Sequence, residues 1–353
     1  MRRLLHKPET VLLGIVVALS AAITWVNHDF LSFDNWLDLL KSSSFTGILA
    51  LGVLVVLISG GIDISFTATA SVAQYVTAVL VLRYGGNVPE VFVLAAGIGA
   101  LLGCVNAVAI HALRIPSIIA TIATLNIFNG LLIFFSGGRW ISAMPEWFGD
   151  FSNVLLFKHT NADGIESGLS VITAIFLGLA LLTAGLLRFT TLGRSVYALG
   201  GSERSARRAG FNLLGIRLFV YGYMGLLAGV AGIVQALLIS TVDPSSIVGK
   251  ELEVLAAVVI GGASLAGGRG SVLGTLLGVL LIAVLGNGLT IMRVPSRWYN
   301  VAIGLTIILS VTVSALRARR RFTRTIAVSE GGDRPPAGAP VAEDRPATTV
   351  SPH

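Results

Sequence analysis

Residues that could do chemistry are few in this chain, and their spacing excludes most catalysis. Lys250 follows Gly249, but Glu251 comes next and no glycine stands where a Gly-x-x-x-x-Gly-Lys-[Ser/Thr] loop needs one. The chain therefore carries no phosphate-cradling loop of its own, and any ATP it depends on is hydrolysed by another chain. No Cys-x-x-Cys, His-Glu-x-x-His or His/Cys cluster offers a metal-ligand set, and no nucleophile–base pair appears. The single cysteine, Cys104, lies inside an apolar run, which excludes an intrachain disulfide.

What polarity the apolar runs contain is mostly neutral: Gln74, Asn106, Asn126, Asn129, Gln235 and Asn287. Such amides suit contact with hydroxylated, uncharged solutes. They equally suit hydrogen bonds between helices, worth roughly 0.6 kcal/mol each. The ionisable candidates within the runs are His111, near a span end, and Asp63, beside Gly60-Gly61. An isolated charge at mid-membrane costs about 2.5–3.5 kcal/mol on insertion scales, so their scarcity argues against a proton-coupled carrier. Asp63 could accept backbone N–H groups at the start of the next helix, where the dipole favours it, or take part in gating or solute contact. A translocation path would draw on Asp63, Asn106, Asn126 and Asn129.

The elements that must position these residues are membrane helices. Of 353 residues, 54% are hydrophobic and 12% charged, against about 25% charged in a soluble domain. The net charge of +7 gathers at the ends of apolar runs and in the tail, which sets orientation and is no nucleic-acid footprint. The runs predict about ten spans: 1–26, 43–59, 66–82, 91–113, 117–135, 169–187, 218–240, 254–266, 271–292 and 298–316. The segment 254–266 is too short to cross a ~30 Å core unless it takes in the neighbouring glycines. Residues 27–42, the 136–168 loop and 241–253 are expected outside. The fold class is all-α and polytopic. A transmembrane domain over 1–316 is followed by a tail, 317–353, basic at first and then disordered by composition. Both termini are expected on the cytoplasmic side.

One connection is unlike the rest. Residues 188–217 carry arginines 188, 194, 204, 207, 208 and 217 and one acid, Glu203, between two apolar runs. Positive-inside bias alone explains a basic cytoplasmic loop. The loop is also long enough for a helix of its own, with Ser202 as N-cap and Gly210 as stop, which would serve as a docking helix for a soluble partner.

Two echoes run through the chain. Arg114-Ile115-Pro116-Ser117 resembles Arg293-Val294-Pro295-Ser296, and Gly60-Gly61 and Gly261-Gly262 each interrupt an apolar segment. Interrupted segments in two halves point to a transporter's centre. The expected topology sets the two Arg-x-Pro-Ser turns on opposite faces and the two Gly-Gly breaks on the same face, so the repeat is not a consistent one.

Several stretches in order resemble ribose-type ABC sugar permeases. Gly60-Gly61-Ile62-Asp63-Ile64-Ser65 resembles the family's GGIDLS signature, and 115–121 (IPSIIAT) its IPSFIATL segment. Residues 193–200 (GRSVYALG) with 206–210 (ARRAG) resemble its cytoplasmic coupling loop, and 251–278 its long Gly-rich block. The likeness covers about 40–316. Residues 137–140 and 293–298 look most like the autoinducer-2 and rhamnose branches. One departure is local: the family usually continues the Asp motif with Val-Gly, where this chain has Phe66-Thr67.

The resemblance implies the permease subunit of an ATP-driven ABC importer in a bacterial inner membrane. It would form the path for a sugar or sugar-like solute and bind no cofactor itself. Its implied partners are an ATP-binding subunit, an extracytoplasmic solute-binding protein and a second permease copy, identical or paralogous. Gly200, Gly201, Arg204, Ala206 and Gly210 would couple it to the ATPase. A branched-chain amino-acid permease of the same superfamily and a carrier or channel acting alone remain as alternatives.

Overall fold

A computed structural model describes residues 8–160, 166–295, 297–299, 301–306, 308 and 312. The 317–353 tail lies outside these residues, as does part of the 298–316 run. Among the described residues, eight helices are long and apolar enough to cross a membrane. They are α1 (Pro8–Val26), α2 (Phe33–Ile58), α3 (Phe66–Tyr84), α4 (Val88–Leu113), α5 (Ser117–Ser136), α7 (Val171–Phe189), α10 (Leu213–Ile239) and α12 (Val272–Ile291). Shorter helices are α6 (Glu146–Ser152), α8 (Thr191–Gly201), α9 (Glu203–Arg208) and α11 (Glu251–Ile260). The chain is a polytopic α-helical membrane protein.

The core forms around α2 and α10, which are buried almost all round. Their apolar residues occupy every face, as expected of a helix with helices on all sides. The tightest crossing joins α10 to α4. Ala95, Gly99 and Gly103 fall on one stripe of α4 and meet Tyr221, Gly225 and Gly229 on α10. A Cβ added at Gly99 would collide with the Gly225 carbonyl, and one at Gly225 with the Gly99 carbonyl. Small residues at four-residue spacing let the two backbones touch, which is how membrane helices gain van der Waals contact when lipid supplies no hydrophobic drive.

The three stretches expected outside carry secondary structure. Residues 33–42 are helical and continue α2, which begins ten residues before the 43–59 span. Ser32 caps the helix by accepting from the Asn35 amide, and Leu39 is buried among residues of α1 and α12. Asn35 and Asn287 exchange side-chain hydrogen bonds at 2.9 and 3.3 Å, so Asn35 has its partner in the bundle.

The 136–168 loop contains α6 and the antiparallel pair β1 (Leu155–Thr160) and β2 (Glu166–Ser170). Its aromatic residues seat it on the bundle: Phe148 is buried, and Phe151 meets Phe92 edge-on at 6.2 Å. Among the last residues of 241–253, Leu252 is exposed and Glu253 half-buried. Glu251 is only 9% exposed, and it opens α11, a ten-residue helix too short to span.

Candidate coupling and translocation site

The break after α2 is built by its glycines. Gly60 has φ +82°, a left-handed conformation that glycine adopts without a steric penalty. Its amide bonds to the Leu57 carbonyl at 2.9 Å and the Gly61 amide to that of Val56 at 3.2 Å, so the helix ends in a Schellman motif. The chain then runs non-helically to α3, and its amides need partners, since unpaired backbone is not tolerated in a bilayer. Side chains of α5 supply them: the Ile62 amide donates to Ser117 Oγ at 2.9 Å and the Ile64 amide to Thr121 Oγ1 at 3.2 Å. The GGIDIS and IPSIIAT stretches are thus the two halves of one hydrogen-bonded joint.

Asp63 completes that joint. It is 3% exposed, and its Oδ1 accepts from the Ser65 amide at 2.8 Å and the Ser65 hydroxyl at 2.7 Å. Asn106 Nδ2 donates to the same hydroxyl at 2.7 Å. Asp63 and Asn106 are therefore joined through Ser65. Asn126 and Asn129 stand apart on α5. Asn126 is exposed and donates to the Ile122 carbonyl of its own helix at 2.8 Å. Asn129 Oδ1 is buried without a partner among the described residues.

Next along, Thr67 donates through Oγ1 to Glu251 Oε1. That oxygen also accepts the Gly249 amide at 3.0 Å. The departure from the family pattern at Phe66-Thr67 thus places a hydroxyl where it meets a buried carboxylate. Sequence reasoning had no signal for this pair, because 184 residues separate its members.

The basic loop folds as two helices. Thr190 caps α8 by accepting the Gly193 amide at 3.0 Å. Ser202 caps α9 by accepting the Ser205 amide at 3.2 Å, and Gly210, at φ +81°, follows its last turn. Both boundary residues stand where the sequence places them. Ala206 is the one buried residue of α9, while Arg204, Arg207 and Arg208 face out. An anchor that sequence reasoning missed ties α9 down: Arg217 at the start of α10 bonds Glu203 at 2.8 Å and lies 3.2 Å from His111 Nδ1 at the end of α4.

Gly200 and Gly201 differ sharply. A Cβ at Gly201 would meet nothing within 4 Å; one at Gly200 would collide with the Ile58 carbonyl and lie 2.6 Å from the Gly268 amide nitrogen. Gly268 donates that amide to Ile58 at 2.9 Å. Gly267 is pressed on Gly60 closely enough that a Cβ would sit 2.7 Å from its Cα. The Tyr197 hydroxyl donates to the Gly270 carbonyl at 2.9 Å, and burial pushes this phenol above its ordinary pKa, so it keeps the donated proton. The end of α2, the loop after α11 and the end of α8 therefore meet backbone to backbone.

The two echoes are local backbone devices. Gly262 (φ +94°) ends α11 as Gly60 ends α2, with the same pair of amide bonds, here to Val259 at 2.9 Å and Val258 at 3.2 Å. Arg114 and Arg293, at the ends of α4 and α12, both adopt left-handed φ, +54° and +56°.

A family model described as "Branched-chain amino acid transport system / permease component" matches residues 35–311. The ribose import permease protein RbsC of Escherichia coli (strain K12) is 33% identical over 302 residues, covering 84% of this chain and 91% of that protein. The autoinducer 2 import system permease protein LsrC of Enterobacter sp. (strain 638) is 32% identical over 324 residues, covering 92% and 91%. The ribose permease of Haemophilus influenzae is 32% identical over 299 residues, covering 84% and 90%. No solved structure matches the chain.

Proposed function

The chain belongs to the branched-chain amino acid transport system / permease component family, and from that membership we propose that it is the permease subunit of an ATP-driven importer of a sugar or sugar-like solute. The observation that carries the proposal is the identity to ribose and autoinducer-2 import permeases over more than four fifths of the chain. The basic loop then lies in the bacterial cytoplasm with both termini, as the positive-inside bias favours, and the Asn35–Asn287 end faces outward. An extracytoplasmic binding protein delivers the solute there. A second permease copy completes the transporter, and ATP is used by a separate subunit on the inner face.

Coupling runs through α9. Arg204 and its neighbours offer cations to that subunit, Ala206 seats the helix on the bundle, and Gly201 and Gly210 bound it. A push on α9 reaches Gly200, and through Gly200 both the end of α2 and the loop after α11. Asp63 and Asn106 hold the adjoining break in shape, so that α2 and α3 move against each other at a defined joint. The family description favours a second reading, a branched-chain amino acid as the solute; the named relatives favour a sugar.

The test is co-purification from native membranes. Wild type brings down a P-loop ATPase, and Arg204→Glu with Arg208→Glu, both exposed, loses it while eluting as the same folded species. An ATPase held equally by the variant removes α9 from the interface, and none held by wild type removes the importer reading.

A further inference from the structure

We propose, on the strength of the importer reading, that the 264–270 loop between α11 and α12 is a second docking element for the ATP-binding subunit. Its partner surface offers an apolar pocket to Leu265 and a carboxylate to Arg269, contacts that α9 does not supply.

The loop is built to hold its shape. The Ser264 amide donates to the Arg269 carbonyl at 3.0 Å and the Gly267 amide to the Ser264 carbonyl at 3.0 Å, while Ser264 Oγ accepts the Ala266 amide at 3.2 Å. Gly267 and Gly268 take left-handed φ, +85° and +72°, which glycine adopts freely. Two further bonds fix the loop to the bundle, from the Gly268 amide to Ile58 and from the Tyr197 hydroxyl to Gly270. Gly270 also lies against the side chains of Leu54 and Ile58. The glycines thus make the side that meets α2 and α8, and the exposed residues of the loop are Leu265, Ala266 and Arg269. The Arg269 guanidinium has no hydrogen-bond or ion-pair partner among the described residues.

The loop's place points to the same partner as α9. A Cβ built on Gly268 would lie 3.3 Å from Gly201 Cα, and Gly201 precedes Ser202, the N-cap of α9. The loop and the start of α9 are therefore neighbours at one end of the bundle. Arg269 adds an exposed cation to Arg204, Arg207 and Arg208. Positive-inside bias accounts for the cations. It does not account for apolar exposure on both flanks of α9: Leu265, 48% exposed, and Ala266 beside its start, and Phe211 just past its end. Apolar side chains on backbone that is already ordered are what a protein partner binds at least entropic cost.

The loop also gives α11 a purpose. That helix is ten residues long, about 15 Å at 1.5 Å per residue. One end runs into the loop, and the other carries Glu251, which holds Thr67 of α3. A displacement of the loop is carried along α11 to the first turn of α3, a route that does not pass through α9.

The test uses inside-out vesicles that hold the chain with its co-purifying ATPase, in a Cys104→Ala background. Leu265→Cys and Ser205→Cys, the latter on α9, are each treated with a membrane-impermeant maleimide before and after the ATPase is stripped with urea. Thiols react where water reaches and ionises them, so labelling at both positions should rise several-fold on stripping. In detergent, Leu265→Asp with Arg269→Glu should retain several-fold less ATPase than wild type while eluting as the same folded species, and Leu265→Met should retain it in full. Equal labelling of Leu265→Cys before and after stripping, beside a protected Ser205→Cys, overturns the loop and leaves α9 and the importer reading standing. A Leu265→Cys that stays unlabelled after stripping faces lipid, and full retention of the ATPase by the double variant makes the loop a bystander; either result overturns the proposal. Vesicles in which wild type holds no ATPase overturn the importer reading, and the loop proposal falls with it.

Discussion

Gly200, in the last turn of α8, lies against the carbonyl of Ile58, the last residue of α2, with no room for a side chain between them. Two backbones in contact transmit a displacement without the slack of a flexible side chain. Gly200→Ala has to part α8 from both α2 and the Gly268 amide. Forcing an extra methyl into a packed site typically costs about 1–3 kcal/mol. We expect a lower melting temperature in detergent and, in a reconstituted transporter, ATP hydrolysis that no longer responds to loaded binding protein. Gly201→Ala, with open space around it, should match wild type in both assays; equal behaviour of the two variants would show that the close approach carries nothing.

The Thr67–Glu251 pair ties the first turn of α3 to the first turn of α11. Thr67 is fully buried and Glu251 nearly so. Thr67→Val keeps the shape and leaves Glu251 without its side-chain donor. Glu251 Oε1 keeps the Gly249 amide, so the loss is that of one hydrogen bond, about 0.5–1.5 kcal/mol and more where the acceptor is charged. The variant should unfold at lower denaturant by at least that margin, and Thr67→Ser should restore most of the loss. A Thr67→Val protein as stable as wild type would mean that water replaces the hydroxyl.

Local punctuation is what the sequence made legible. Ser202, Gly210 and the Gly60-Gly61 break are decided by residue type within one turn, and all three are helix boundaries in the structure. The basic loop stood out by charge alone. Distant pairings left no trace: Glu203 and Arg217 lie on different helices, Thr67 and Glu251 in different halves of the chain. The Asn amides were misleading in part. Asn106 sits in the joint with Asp63, but Asn126 caps nothing beyond its own helix, and a neutral amide in an apolar run looks the same in either role. Residues 33–42 do not read as part of the second span because their charges mask a helix whose apolar side packs on α1 and α12.

Arg114 ends α4 at φ +54°, where a side chain of L configuration carries a backbone penalty of order 1 kcal/mol that glycine does not. Arg114→Gly should therefore leave stability unchanged or raise it by about 1 kcal/mol, even though a charge is removed. Arg114→Ala, which removes the same charge and keeps the penalty, should not. Thermal unfolding of the three proteins in one detergent separates backbone from charge, and a loss of stability in Arg114→Gly would give the guanidinium a binding role.

Arg217 is 17% exposed and Glu203 46%, so their ion pair is partly screened. Pairs of this exposure contribute on the order of 0.5–1 kcal/mol, too little to decide whether the bundle folds. What the pair decides is where α9 lies, because a helix of six residues does not hold itself in water. Arg217→Gln should then fold and melt like wild type within a degree or two, by the conversion of a fraction of a kcal/mol into melting temperature for a domain of this size. Trypsin should cut it faster after Arg207 and Arg208, which face solvent in α9. If α9 is the docking element, retention of the ATPase should weaken as well. Restoring the pair in reverse, with Glu203→Arg and Arg217→Glu, should slow cleavage again. Unchanged proteolysis in Arg217→Gln would mean that Ala206 and the caps suffice, and the anchor would lose its place in the coupling path.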